Sequence, residues 1–233
     1  MSKQKRACLL LAMAGVIVSA CSQAGGSGRW AADVDSIYVT KSLDVRSAMV
    51  FTSAVANDLY DQEELAQDTR EWVQDYNAKE GREESLRQGK SPDPDKGRDG
   101  GRGKGKLPVA LTSCTLKGGT GAMVFDYGTP EDFVKFSQEV GDTSHTVTAL
   151  SVGTVADMLP DGKVAGLRFA APDGKAAEGR EVAKHPKYRV VAIEGAATVC
   201  TEGKVAYVSF GDMAVKDDYT VVTGEGLHYI IFH

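Results

Sequence analysis

The chain has 233 residues, 42% of them hydrophobic and 25% charged, ordinary proportions for one globular domain or two small ones. Its 27 basic residues are outnumbered by 32 acidic ones, giving a formal charge of −5. That balance excludes the broad electrostatic attraction that holds proteins to nucleic acid or to an anionic bilayer surface.

Lys3, Lys5 and Arg6 precede an apolar stretch from Ala7 to Val18, and Val18-Ser19-Ala20-Cys21 closes it. A basic start, a short apolar run and small residues are the layout of a secretory signal peptide. The 14 residues from Ala7 to Ala20 are too few to cross a hydrocarbon core, which takes about 20. Residues 1–20 are therefore expected to be removed, leaving 24 basic and 32 acidic residues and a formal charge of −8. The end of the stretch resembles the lipobox of bacterial lipoproteins, an aliphatic residue and two small ones before a cysteine. That resemblance implies a diacylglyceryl group on the Cys21 thiol, cleavage before it and acylation of the new amino terminus. Two or more chains anchor stably, because each buried methylene contributes about 0.8 kcal/mol and one chain alone is marginal. The alternative is an ordinary cleaved peptide with Cys21 an incidental thiol. Residues 21–35 then form the lipidated cysteine and a flexible tether. Within it, Ser22 to Arg29 has no apolar residue larger than Ala24, and its coil dimensions hold the domain within roughly 20 Å of the bilayer.

The rest, residues 36–233, reads as a single α+β domain. Ser36 to Lys41 alternates as a strand, Val45 to Val55 supplies a second, and the two are spaced to pair around Lys41 to Asp44. Asp61 and Glu64 make a capping box, Glu63 suits the positive helix start, and Leu65, Thr69, Trp72, Val73 and Tyr76 recur at helical spacing. Trp72 and Tyr76 are read as core anchors of this helix, and Gly81 as its end. From about 82 to 106 a disordered basic insertion is expected, because Gly89 to Lys106 has no aliphatic or aromatic residue to offset the entropy of ordering it. Its six basic residues against three acidic ones suit either a solvated loop or a contact with acidic cell-wall polymer or lipid headgroups. Asp93, Asp95 and Asp99 faintly echo a calcium loop, but Gly97 and Arg98 stand where a ligand and the turn glycine belong.

Strands are expected over Val109 to Lys117 and Ala122 to Tyr127, turned by Gly118-Gly119. A helix follows with Thr129 as its N-cap, Pro130 first, Glu131 and Asp132 in the first turn, a stripe of Phe133, Phe136, Ser137 and Val140, and Gly141 as its stop. This repeats the earlier strand-strand-helix order. The last third reads as strand and turn, a C-terminal β-meander. Strands are expected over Val147 to Ala156, Lys163 to Phe169, Asp217 to Val222 and Leu227 to Phe232, with turns at Asp161-Gly162 and Asp173-Gly174. Arg189 to Cys200 and Lys204 to Phe210 are expected to form a hairpin around Thr201-Glu202-Gly203.

Several of these phrases together resemble a group of uncharacterised lipoproteins from gut-dwelling Firmicutes. They are Ile37 to Lys41, Tyr60 to Leu65 with Tyr76-Asn77, Glu131-Asp132-Phe133 to Phe136, Gly153-Thr154-Val155, Gly203 to Ser209 and Tyr229-Ile230-Ile231. The resemblance implies a lipid-anchored α+β domain and supplies no catalytic or ligand residues.

The chemistry-bearing residues give little direction. Cys8 lies in the removed segment and Cys21 carries the lipid, leaving Cys114 and Cys200, which export would allow to bridge or which are two reduced, packed thiols. His145, His185, His228 and His233 lack metal-ligand spacing, and His228 and His233 are placed to face opposite sides of a strand. G-x-S-x-G, a P-loop, a complete G-x-G-x-x-G and H-E-x-x-H do not occur in the sequence, so no catalytic residue, cofactor or metal is assigned. The carboxylate pairs Glu63 and Glu64, and Asp217 and Asp218, are explained by capping and by a turn. The reading is a non-enzymatic binding module on the outer face of the cytoplasmic membrane, or on an outer membrane if the cell has one. Its partners would be the membrane, through Cys21, and an envelope polymer or surface protein, not nucleic acid. Two alternatives stand: an envelope hydrolase whose site comes from distant residues, and a structural envelope or spore lipoprotein.

Overall fold

Strand alternation and helix caps build an α+β domain from two sheets in the computed structural model, which describes residues 30–52, 61–87 and 107–233. The lipidation at Cys21, the tether to Arg29 and the basic run from Gly89 lie outside the described residues. Residues 30–35, expected as the last part of a flexible tether, instead pack onto the domain: Trp30 stacks on Tyr38 (5.0 Å between centroids, 3° between planes) and donates to Ser36 Oγ (3.0 Å).

The strands β1 (Ser36–Val39) and β2 (Val45–Thr52) form the expected antiparallel hairpin. Its turn is tied by the Thr40 N–H to the Asp44 carbonyl (3.0 Å) and by the Asp44 N–H to Thr40 Oγ1 (3.0 Å). The helix α1 (Gln62–Arg87) starts where Asp61 accepts the Glu64 N–H (2.7 Å). It runs through the expected stop at Gly81. An interior glycine costs about 1 kcal/mol, and the buried face of Leu65, Thr69, Val73, Tyr76 and Asn77 outweighs that.

The next hairpin, β3 (Val109–Lys117) and β4 (Thr120–Tyr127), leads into α2 (Pro130–Val140). Both ends of α2 are as read: Thr129 Oγ1 accepts the Asp132 N–H (3.1 Å), and Gly141 closes the helix at φ 64°. Phe136 on α2 is the hub of the core, with Trp72, Tyr76 and Phe125 at 5.3, 5.1 and 5.2 Å, which gives Trp72 and Tyr76 the anchoring role expected of them. Asn77 adds a clamp, donating to the Val109 carbonyl (2.8 Å) and accepting the Val109 N–H (3.0 Å).

After β5 (Ala149–Thr154) the chain departs from the expected strands. Thr154 caps a short helix α3 (Val155–Met158), and the Pro160 carbonyl accepts the Lys163 and Val164 N–H groups to form α4 (Asp161–Val164). The stretch read as a strand over Lys163 to Phe169 is thus a helical turn followed by the short β6 (Arg168–Ala170). The pair β6 and β7 (Ala176–Glu178) and the helix α5 (Gly179–Ala183) follow.

The strands β8 (Arg189–Glu194), β9 (Ala197–Thr201), β10 (Val205–Ser209), β11 (Met213–Val215), β12 (Thr220–Thr223) and β13 (Leu227–Phe232) complete the fold. The first sheet has the order β11-β12-β9-β1-β2-β4-β3, with β1 and β9 parallel; the second has the order β5-β8-β13-β10-β6-β7. The stretch expected as one strand over Arg189 to Cys200 is two, β8 and β9, in different sheets, and β7 and β11 add to the expected strands; β9 and β10 also belong to different sheets, so Thr201-Glu202-Gly203 is a crossing and not a hairpin. A Cβ on Gly203 would run into the His233 carbonyl, and one on Gly195, at φ 112°, into the Thr146 carbonyl. Only glycine allows the chain to pass so close at these crossings.

One core lies between the sheets and under α1 and α2. A smaller one, with Phe169, Val190, Tyr229 and Ile231, lies on the far side of the second sheet beneath α3, α4 and α5.

Candidate functional site

The seam where both sheets meet places four distant segments at one end of the molecule. They are the turn after β1, the β9–β10 crossing, the segment before β8 and the end of β13. The local sequence His185-Pro186-Lys187-Tyr188 folds as a turn, with the Tyr188 N–H on the His185 carbonyl (3.0 Å), and this lays the two rings together at 4.4 Å and 14°. Phe232 pairs with Arg189, and the His233 N–H donates to the Lys204 carbonyl (3.1 Å). That stacks the His233 ring on Tyr188 as well, at 4.8 Å and 21°. Tyr207 on β10 flanks His185 at 6.2 Å. The result is an imidazole-phenol-imidazole stack, half-buried at His185 and Tyr188 and exposed at His233.

Charged residues lie on the same segments. Arg189 is held by the Lys41 carbonyl at Nε (2.9 Å) and the Lys187 carbonyl at Nη1 (2.7 Å), which leaves part of its guanidinium fork free. The Lys41 side chain lies over Gly203, while the Lys41 N–H donates to Glu202 (2.6 Å). The nearby carboxylates Glu181 and Asp218 are already paired with Lys184 (2.7 Å) and Lys204 (2.6 Å). Lys41, Lys187 and Arg189 belong to the segments that meet at this seam, and Glu202 adds a carboxylate there. Ring faces and edges supply contact area at low entropic cost, and a planar guanidinium with two ammonium groups suits carboxylate or phosphate oxygens.

The remaining residues singled out from sequence are dispersed. His145 and Asp142 form a buried pair (Nε2 to Oδ2, 3.2 Å; side chains 6% and 3% exposed) in the loop after α2. Ser144 donates to the same carboxylate from its N–H (2.9 Å) and its hydroxyl (2.6 Å). A serine nucleophile needs to donate to a base; here serine and histidine both turn to Asp142, which makes the cluster a brace for the connection between α2 and β5. Asp35 accepts the Val50 N–H (2.7 Å), and burial pushes its carboxyl up to about 6, with the charge of Asp142 adding to the effect. Tyr127 bonds Ser47 (2.8 Å), and burial raises its hydroxyl far above the ordinary value. His228, 2% exposed, points Nε2 between the carbonyls of Gly224 (3.2 Å) and Glu225 (3.0 Å), and His233 lies on the other side of the strand, as the spacing predicted.

The possible bridge between Cys114 and Cys200 is not formed. Neither cysteine is in a disulfide, and β4, β2 and β1 separate their strands β3 and β9. With neighbouring strands about 4.8 Å apart, the pair is far outside the Cα separation of up to about 7 Å that a disulfide tolerates. Cys114 faces the core, where burial raises its thiol above the ordinary value against an opposing pull from Arg70. Cys200 stands beside Tyr38 on the other face. Among the described residues no group of three or more histidine, cysteine or acidic side chains is placed to hold a metal ion.

No protein family, no curated protein and no solved structure matches the chain.

Sequence reasoning missed Tyr188, Tyr207, Arg189 and Lys41. The spacing of His185 and Tyr188 carried a local signal, two rings three residues apart across a proline turn flanked by basic residues. Nothing local announces His233 as the third ring.

Proposed function

We propose that the chain is an exported lipoprotein, anchored through Cys21, that serves as a binding module at the cell surface, and that the ring stack at the sheet seam is its recognition end. The observation that carries this reading is the stack itself, on segments that also hold Lys41, Lys187 and Arg189 against the one carboxylate of Glu202, in a chain whose mature part has a formal charge of −8. The ligand chemistry it suits is an anionic envelope polymer, whose sugar or polyol units lie against the rings while carboxylate or phosphate groups meet the cations. The apolar stretch before Cys21 and the resemblance to uncharacterised lipoproteins support the anchored location. Among the described residues, no helix is long and apolar enough to cross a membrane.

Two measurements test the two parts of this reading. In cells fed a clickable fatty acid, the native chain takes up label and Cys21→Ala does not; an unlabelled native chain found in the medium defeats the anchor. In sedimentation with purified envelopes, the mature domain binds at low salt, and Tyr188→Ala together with Lys187→Glu weakens binding at least tenfold. Absence of sedimentation at every salt concentration, or equal sedimentation of the double variant, defeats the recognition end. Turnover of a wall substrate by the same preparation would move the chain to the hydrolase class.

A further inference from the structure

Two connections bring carboxylates within electrostatic reach of each other. The first is the segment that leads into β1, residues 30–35. Trp30 lies on Tyr38 and donates to Ser36 Oγ, which in turn donates to the Val34 carbonyl (3.0 Å); this relay stays within the segment and β1. The tie to a different strand is made by Asp35. β2 runs on past its last pairing with β1, Ser36 with Ala48, and there Asp35 Oδ1 accepts the Val50 N–H (2.7 Å).

The second connection runs from α2 to β5. Its Asp142 side chain, 3% exposed, faces His145 Nε2 (3.2 Å) and accepts the Ser144 N–H (2.9 Å) and hydroxyl (2.6 Å). This connection is also fixed to the β8–β9 crossing, where the Thr146 N–H donates to the Ala196 carbonyl (2.9 Å) and the Ala196 N–H donates to Thr146 Oγ1 (3.1 Å). Held from both sides, Asp142 cannot swing away from a neighbouring charge.

Asp142 is the charged group that acts on Asp35. It acts as well on Tyr127 of β4, whose hydroxyl bonds Ser47 of β2 (2.8 Å). The other titratable groups here are His145, packed on Phe133 (5.2 Å) and turned to Asp142, and Asp33, exposed on the entering segment. Burial disfavours the charged form of Asp35 most, and the Asp142 charge adds to that. Together they outweigh the bond from Val50, which favours the charged form.

We propose that Asp35 and Asp142 form a proton-operated latch: residues 30–35 stay docked while Asp35 holds its proton and lift when it releases that proton to solvent. Lifting breaks the Val50 bond, moves Asp35 into water and away from Asp142, and takes Trp30 off Tyr38. The latch depends neither on the lipid nor on the ring stack. Its direction follows from linkage. The docked segment binds the proton more tightly than the free one, so docking is strongest in acid and weakens as pH rises from 3.8 through about 6. Each unit of such a raise is worth tenfold, and screening of a partly exposed group reduces the whole effect to about tenfold.

The test is amide exchange in the native chain between about pH 5 and 7.5, corrected for the intrinsic rise of exchange with pH. Protection of the Val50 amide is expected to fall about tenfold over this range. As a local opening, it should respond little to small additions of urea. Asp35→Asn keeps an oxygen for Val50 without a charge, and its protection should stay level. Asp142→Asn keeps an acceptor for Ser144 and should shrink the fall without abolishing it, because burial is the larger cause. Level protection in the native chain overturns the latch, as does an equal fall in Asp35→Asn. An undiminished fall in Asp142→Asn overturns the pairing of the two carboxylates. A Val50 amide with the same urea dependence as the fully buried Phe125 also overturns the proposal, because the opening is then unfolding of the whole domain.

Discussion

The two halves of the domain are joined by different rules. From Ser36 to Val140 each strand pairs with its neighbour in sequence, β1 with β2 and β3 with β4, and the two long helices pack on this sheet, α1 mainly against β3, the strand that follows it. From Arg189 onward successive strands alternate between the two sheets, and β11 with β12 is the only consecutive pair. Local pairing leaves a broad sheet; alternation welds the sheets and gathers distant residues at the seam, where the ring stack lies. The first half should tolerate change near its turns, and the second should fail wherever a crossing is obstructed.

The largest expected loss nevertheless comes from the shared core. Phe136 is fully buried and touches aromatic rings from α1 and β4. Phe136→Ala should cost about 3–5 kcal/mol, read as a lowered urea midpoint with an unchanged slope. A loss under about 1 kcal/mol would mean that the helices do not share one core with the sheets.

Gly195→Ala tests the crossings directly. The new Cβ would meet the Thr146 carbonyl at a φ that side chains avoid, and the adjoining Ala196 N–H would be pulled from Thr146 Oγ1 (3.1 Å). Strain and overpacking together should cost about 3 kcal/mol. Gly118→Ala is the matching control in the β3–β4 turn, where positive φ is retained but open space surrounds the Cβ. Its cost should be nearer 1 kcal/mol; equal losses would erase the distinction between the halves.

The same distinction governs how much the sequence revealed. The α+β class, the two strand-strand-helix units and both ends of α2 were legible because Thr129, Pro130 and Gly141 act on backbone groups within four residues. The crossing at Gly203 was not, because its meaning depends on a carbonyl at His233. Nor was the Asn77 clamp, whose partner Val109 is 32 residues away. The helix beyond Gly81 was misread for a related reason: a glycine is a local signal, and tertiary burial overrode it. At the seam, the His185 and Tyr188 pair is local and could have been found, while His233, Lys41 and Tyr207 are brought there by the alternation of strands.

A smaller effect is expected at the start of α2, in the locally built half. Thr129 Oγ1 accepts the Asp132 N–H and donates to the Asp132 carboxylate (2.8 Å), which is 2% exposed. Thr129→Ala removes the cap and one donor to a buried acid, for about 1–2 kcal/mol. Thr129→Ser should recover most of it in thermal melts, and a serine variant as weak as alanine would mean that the methyl group, not the hydroxyl, matters.

The smallest effect has the opposite sign. Asp35 is half-buried just before β1, and burial lifts its carboxyl from the ordinary 3.8 to about 6. Below about pH 3.8 both folded and unfolded chains hold this proton; between that value and 6 the folded chain holds it more often, and above 6 the folded chain carries a poorly solvated charge. Stability therefore falls as pH rises through this window, because the folded state is the one that binds the extra proton. Asp35→Asn keeps an oxygen for the Val50 N–H and removes the charge. After a discount for solvent screening of a partly exposed group, the variant should gain about 1 kcal/mol at pH 7.5, a rise of about 2–4 °C in Tm. The gain should shrink toward zero as pH falls to 4. A variant less stable than the native chain at pH 7.5 would show that the bond from Val50 to the charged carboxylate outweighs the cost of burying it.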